Sequence, residues 1–207
     1  MVRYEDFLAG KQHIPPSCGF EVDKPAMNIH MFEWQKDITR WALRKGRAAL
    51  FEECGNGKTI QQLEFADQVA KREGMPVLIV APLTVGAQTL REAQKFGYSA
   101  AICRTQDDVT PGINITNYEM LQHFDGRSFA GVVLDESSIL KNYTGKMRNQ
   151  IIEMFKDTPY RLSCTARANF QGNPKAEVDK LLQSGAMSQQ ELNQLQSMAK
   201  QFEHLFH

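Results

Sequence analysis

Phe51 to Ile60 reads FEECGNGKTI, a glycine-rich turn ending in Lys-Thr directly after the apolar run Ala48-Ala49-Leu50-Phe51. A phosphate chain has to be wrapped by backbone N–H groups, so Gly55 and Gly57 let the backbone curl with no Cβ in the way. Lys58 can then reach the β- and γ-phosphates, and the Thr59 hydroxyl can ligate Mg²⁺ where a helix begins. The pattern predicts a nucleotide-binding loop formed by Gly55, Asn56, Gly57, Lys58, Thr59 and Ile60, with ATP and Mg²⁺ as its cofactors.

A second half of such a site lies downstream. Gly131 to Asn142 reads GVVLDESSILKN, an apolar strand ending in adjacent carboxylates. At the end of a neighbouring parallel strand Asp135 would hold Mg²⁺, and Glu136, one residue further out, would polarise the attacking water. Alone, an Asp-Glu pair after a strand reads as a charged loop. Paired with the Gly-Lys-Thr turn upstream, it reads as catalytic.

The elements between these motifs must bring them together. Residues Phe32 to Lys45 carry Phe32, Ile38, Trp41, Ala42 and Leu43 at helical spacings, and Gly46 ends that helix. A second helix, Thr59 to Lys71, buries Ile60, Leu63, Phe65, Ala66 and Val69. Pro76 to Ala81 (PVLIVA) is a continuous apolar strand, as expected when both faces of a parallel sheet are covered. A helix from about Val85 to Phe96, strands at Ala100 to Cys103 and Gly112 to Thr116, and a helical turn at Tyr118 to His123 follow. The carboxylate strand (Ala130 to Leu134), a helix (Lys146 to Phe155) and a last strand (Tyr160 to Cys164) complete the alternation. Strands alternating with helices predict an open α/β, mainly parallel sheet with ligands at the carboxyl ends of its strands. The phosphate loop, Pro82-Leu83-Thr84, Thr116-Asn117-Tyr118 and Asp135-Glu136 all fall at such ends.

Outside this core the character changes. Residues 1–30 read as an irregular segment broken by Pro15, Pro16 and Pro25, and 31–168 as the nucleotide-binding domain. Asn173-Pro174 opens a helix, and Ser188 with Glu191 makes a capping box for another. Residues 173–207 therefore read as a C-terminal helical hairpin appended to the domain.

Composition bounds the function. The chain has 207 residues, 42% hydrophobic and 23% charged, with Lys+Arg and Asp+Glu balanced at 24 each. Bulk positive charge does not drive it onto nucleic acid, so any such binding should be weak and steeply salt-dependent. Cys18, Cys54, Cys103 and Cys164 lack metal-ligand spacing and read as reduced thiols of a cytoplasmic protein, in the host cytoplasm if the gene is a phage's. No apolar run approaches 18 residues, and no signal-peptide pattern opens the chain.

Taken in order, these motifs resemble the first RecA-like domain of superfamily 2 helicases, in the Swi/Snf-like branch found in phage and prophage genomes. The resemblance runs from about Tyr4 to Ala166. It implies that Gln35, in Phe32-Glu33-Trp34-Gln35, reads adenine and that EECGNGKT is motif I. VAPLTV (Val80 to Val85) and TNYEML (Thr116 to Leu121) then stand as motifs Ia and Ib, which touch the nucleic-acid backbone. LDESSILKN resembles motif II, and LSCTA (Leu162 to Ala166) the start of motif III, which couples the two sites. Thr84, Thr116, Asn117 and Lys141 are the candidate donors to nucleic-acid phosphates.

The departures carry expectations too. Glu52 stands where a full Walker A pattern has glycine, Asn56 replaces an apolar residue, and Ser137-Ser138 replaces Ala-His. After Ala166 come Arg167-Ala168-Asn169-Phe170 and the hairpin, in place of the route into a second RecA-like domain. That domain would supply arginine fingers, worth roughly 10³ to 10⁵ in rate. One reading is the ATP-binding half of a nucleic-acid-dependent ATPase acting on DNA, completed by a second RecA-like domain supplied in trans or belonging to a longer form of the chain. The other is a non-catalytic phage protein that uses the half-domain as a scaffold to bind DNA or a host helicase-like protein.

Overall fold

A computed structural model of the chain describes residues 17–52, 55–137 and 145–165, the last stretch with side chains from Arg148 onward. The expected hairpin at 173–207, Glu53, Cys54, Ser138, Lys141 and Ala166 to Phe170 lie outside the described residues.

Six strands form one sheet in the order β1-β6-β5-β2-β4-β3, and every neighbouring pair is parallel. They are β1 (Arg47–Phe51), β2 (Val77–Ala81), β3 (Ala100–Ile102), β4 (Ile113–Asn117), β5 (Gly131–Leu134) and β6 (Tyr160–Thr165). The helices are α1 (Glu33–Lys45), α2 (Lys58–Glu73), α3 (Gly86–Lys95) and α4 (Gly145–Met154). A 3₁₀ helix, Tyr118–His123, follows β4 directly.

The pleat of the central strands divides the core in two. Val77 and Ile79 of β2, Ile113 and Ile115 of β4, and Val133 of β5 face one layer, with Leu43 of α1, Leu63 and Val69 of α2 and Ala93 of α3. Leu78, Val80 and Val132 face the other layer, with Tyr118, Phe129, Ile151 and Phe155. All five residues of β2 are fully buried, which is why PVLIVA shows no alternation: side chains of both parities meet an apolar layer. Cys103 and Cys164 are buried free thiols and Cys18 an exposed one. Among the described residues no helix is long and apolar enough to cross a membrane.

One expectation is corrected by the packing. Phe32 and Trp41 are not on the buried stripe of α1, being 67% and 36% exposed. Gln35, Thr39, Ala42 and Leu43 take that face, at the i, i+4, i+7, i+8 spacing of a helix stripe. Residues 17–32, before α1, are irregular apart from a 3₁₀ turn at Lys24–Ala26, and Val22, Met27 and Met31 enter the core. A polar anchor holds them there. The buried Glu64 carboxylate on α2 accepts the Asn28 backbone N–H at 3.2 Å and the Tyr98 hydroxyl, and the Asn28 amide donates to the Phe96 carbonyl at 2.8 Å.

Candidate nucleotide site

A parallel sheet puts all its carboxyl ends on one edge, and the strand order decides which ends are neighbours. β1, β6 and β5 lie side by side, so the turn after β1, Thr165 at the end of β6 and Asp135-Glu136 after β5 converge. The ends of β2 and β4, carrying Leu83-Thr84 and Asn117, form the adjoining half of the same edge. Nucleotide motifs and candidate nucleic-acid motifs are thus segregated by topology, although they alternate along the chain.

The turn before α2 has the shape a phosphate requires. Gly55 and Gly57 adopt φ of 95° and 70°, in the left-handed region that side chains disfavour. A Cβ on Gly57 would also stand 2.5 Å from Gln35 Nε2. Gly57, the N-cap of α2, has no side chain with which to cap the helix, and the backbone amides of a helix's first turn, here Lys58, Thr59 and Ile60, are the groups that an anion engages. The Ile60 side chain is buried in the core, which limits its part to that backbone amide.

Lys58 is held at the mouth of the turn, its ammonium donating to the Glu52 carbonyl at 2.8 Å. The Glu52 carboxylate accepts from Gln61 Nε2 at 2.8 Å, while its other oxygen, Oε1, is buried with no hydrogen-bond partner. Burial pushes the Glu52 carboxyl above the usual carboxylate range, opposed by the Gln61 hydrogen bond and the Lys58 charge.

Asp135 is pinned from three sides. Gln62 Nε2 donates to its Oδ1 at 2.7 Å, the Glu136 backbone N–H donates to the same oxygen at 3.0 Å, and the Tyr118 hydroxyl donates to its carbonyl at 2.7 Å. Burial raises the Asp135 carboxyl above its ordinary range, the Glu136 charge adds to the rise, and the two hydrogen bonds and Lys58 pull it back. Glu136 has a φ of 47°, the left-handed region in a non-glycine residue, which costs on the order of 1–3 kcal/mol and clusters at functional sites. Its carboxylate accepts from the Thr165 hydroxyl at 3.3 Å, tying the end of β6 to the end of β5, and Ser163 donates to Ser137 at 2.8 Å beside it. Replacing Tyr118 by phenylalanine removes the bond to the Asp135 carbonyl. The loss should destabilise the chain by about 1 kcal/mol, a Tm drop of roughly 2–4 °C by calorimetry.

The donor set suits a magnesium nucleotide. A glycine-lined turn, a helix start, one ammonium, one hydroxyl (Thr59) and one half-buried carboxylate are the groups such a ligand needs. Two residues expected at the ligands are placed elsewhere. Gln35 is 3% exposed and both ends of its amide are engaged: Oε1 accepts the Phe32 N–H at 3.0 Å and Nε2 donates to the Asn56 carbonyl at 3.0 Å. Its amide thereby ties the phosphate turn to the start of α1. Thr116 is 4% exposed with its hydroxyl buried in β4, so it presents no donor to a phosphate backbone. Asn117 spends Oδ1 on the Met120 N–H at 3.1 Å, and Thr84 is exposed in the turn after β2.

Glu52, Gln61, Gln62 and Tyr118 escaped the sequence reading. The available signal was Gln61-Gln62 directly after Lys-Thr-Ile, on a helix buried almost all round.

No protein-family model and no curated protein sequence matches the chain. Solved structures do resemble it. The SWI2/SNF2 ATPase core of Sulfolobus solfataricus, solved in complex with dsDNA, superposes with a TM-score of 0.60 at 22% identity over 80% of this chain and 37% of that one. The UvsW helicase of bacteriophage T4 gives 0.59 at 15% identity, over 86% of this chain and 64% of that one. The Hef helicase domain of Pyrococcus furiosus gives 0.54 at 15%, over 77% and 38%. The chain spans less than two thirds of each of these proteins. A six-stranded parallel sheet with the phosphate turn, the carboxylate pair and β6 abutting at one edge has the fold of a single RecA-like domain, as in SWI2/SNF2 ATPase cores and helicases.

Proposed function

We propose that this chain is the ATP-binding half of a superfamily 2, Swi/Snf-like helicase or translocase that hydrolyses ATP in response to nucleic acid. The observation that carries the reading is the convergence of Lys58, Asp135 and Glu136 on neighbouring strand ends, beside the glycine-led N-terminus of α2. Bound Mg-ATP supplies the electrophilic phosphorus and a cation that shields its charge. Lys58 leaves the Glu52 carbonyl and neutralises the β- and γ-phosphates. Thr59 and Asp135 would hold the cation, and Glu136, which accepts from Thr165, would position the attacking water. Thr84 and Asn117 at the adjoining strand ends would contact a nucleic-acid backbone, DNA by analogy with the Sulfolobus core. Lys141, outside the described residues, is the further candidate phosphate contact from its motif.

The arginine finger of such a site comes from a second RecA-like domain, so hydrolysis without that domain is slow. Nucleotide binding and steady-state hydrolysis, with and without single- and double-stranded DNA, test the reading. DNA-stimulated hydrolysis identifies a working motor half, and binding without turnover identifies a half-site awaiting its partner. Absence of nucleotide binding overturns the proposal in favour of a non-catalytic scaffold that engages DNA or a host helicase-like protein.

A further inference from the structure

The second turn of α2 carries two adjacent buried amides, and each is aimed at a carboxylate on one side of Lys58. Gln61, fully buried, donates to Glu52 at 2.8 Å; Gln62, 1% exposed, donates to Asp135 at 2.7 Å. Three and four residues after Lys58, they share its face of the helix. A buried glutamine costs free energy unless both ends are satisfied, yet Gln62 Oε1 is buried without a hydrogen-bond partner. An apolar side chain of the same length would pack there at lower cost. The amide cannot turn over either, because that would press its oxygen against the Asp135 carboxylate. What Gln62 supplies at this position is therefore its N–H.

That N–H and the Glu136 amide both donate to Oδ1 of Asp135, and Oδ2 has no hydrogen-bond partner among the described residues. One oxygen is committed to the protein and the other is left over. Building on the reading of Asp135 as the magnesium carboxylate, we propose that Gln62 is the positioning residue of this site. By occupying Oδ1 it locks the carboxylate rotamer and leaves Oδ2 as the single ligand oxygen for the divalent cation. Groups that orient a metal ligand without touching the metal typically control affinity by 10- to 100-fold.

The test is the ratio of ADP affinity in Mg²⁺ to ADP affinity in EDTA, measured by calorimetric titration for wild type, Gln62→Leu and Gln62→Met. Thermal melts establish folding of each. A residue that only fills the core would shift both affinities together or neither. The proposal requires the ratio to fall about tenfold or more in both variants, with the loss confined to the Mg²⁺ arm. Folded variants whose ratio stays within twofold of wild type overturn it, and so does failure of both variants to fold, which would make Gln62 a core residue. A wild-type chain that binds ADP equally with and without Mg²⁺ overturns the reading of Asp135 itself, and this inference falls with it. The first pattern sinks the positioning role alone; the last sinks the metal assignment.

Discussion

Replacing Lys58 by alanine is expected to weaken Mg-nucleotide binding by about 10- to 100-fold and to bring hydrolysis to background. Lys58 is the only ammonium at the turn among the described residues, and it is already desolvated in part against the Glu52 carbonyl at 2.8 Å. A charge-assisted hydrogen bond in such surroundings contributes about 1.5–3 kcal/mol, which corresponds to that range of affinity. The fold should survive, since the ammonium bonds a carbonyl at the protein surface and no apolar packing depends on it. Titration of a fluorescent ADP analogue, with circular dichroism as the folding control, checks both halves of the expectation. Unchanged affinity would remove the turn from any role in phosphate binding.

Changing Asp135 to asparagine should act in opposite directions on function and stability. Burial holds the Asp135 carboxyl above its usual range, so the folded chain binds that proton more tightly than the unfolded chain does. A raised acid contributes stability that is fully present below the unfolded carboxylate range and is lost as pH rises through the folded value. Glu52 shifts the same way and adds to the trend. At neutral pH the site therefore carries a carboxylate ion at a cost to folding. Asparagine keeps an acceptor for Gln62 and for the Glu136 amide while removing the charge. The variant should be more stable than wild type at pH 7, seen as a higher Tm. That advantage should shrink as pH falls towards mild acid. Mg²⁺-dependent nucleotide binding should be lost at the same time, a stability–activity trade of the kind expected where a site holds a charge against its surroundings. Melts from pH 4.5 to 7.5 and titrations with and without Mg²⁺ measure the two effects separately. Equal stability of the two proteins across that range would mean the Asp135 ion is not held at a cost.

Tyr118 and Gln62 converge on Asp135 from different directions, one from the 3₁₀ helix after β4 and one from α2. The hydroxyl bond is of particular interest, since it joins the strand end that carries Asn117 to the one that carries the carboxylate pair. A shift of the β4 end would be felt at the Asp135 backbone within one hydrogen bond. The left-handed φ of Glu136, immediately after, makes that turn a place where a small displacement changes which conformation is favoured.

Much of the fold was legible because its signals are local. PVLIVA, GVVL and the run before the phosphate turn have the apolar continuity of parallel strands, and the elements between them have helical spacing bounded by Gly46 and Gly74. Boundaries differ from expectation by a residue or two: α2 begins at Lys58 and β6 runs on through Thr165. The residue types of Gly55, Gly57, Lys58, Thr59, Asp135 and Glu136 named a nucleotide chemistry by themselves, since phosphate and Mg²⁺ accept few alternatives. Burial was less legible. Helical spacing gives a stripe without saying which way the helix is rotated, and Phe32 and Trp41 looked as apolar as Ala42 and Leu43.

What the sequence by itself determined is the set of elements, their parallel alternation and the kinds of group available at the strand ends. Only the tertiary structure decided which ends are neighbours, because the order β1-β6-β5-β2-β4-β3 is set by how helices of each layer pack, and chain order does not reveal it. It also decided that Gln35 braces the turn, that the Thr116 hydroxyl is buried, and that Gln61 and Gln62 reach carboxylates on either side of Lys58. Each of those outcomes depends on a side chain of one element ending within about 3 Å of another. Such distances follow from the packing of whole helices on the sheet, and no pattern along the chain encodes them.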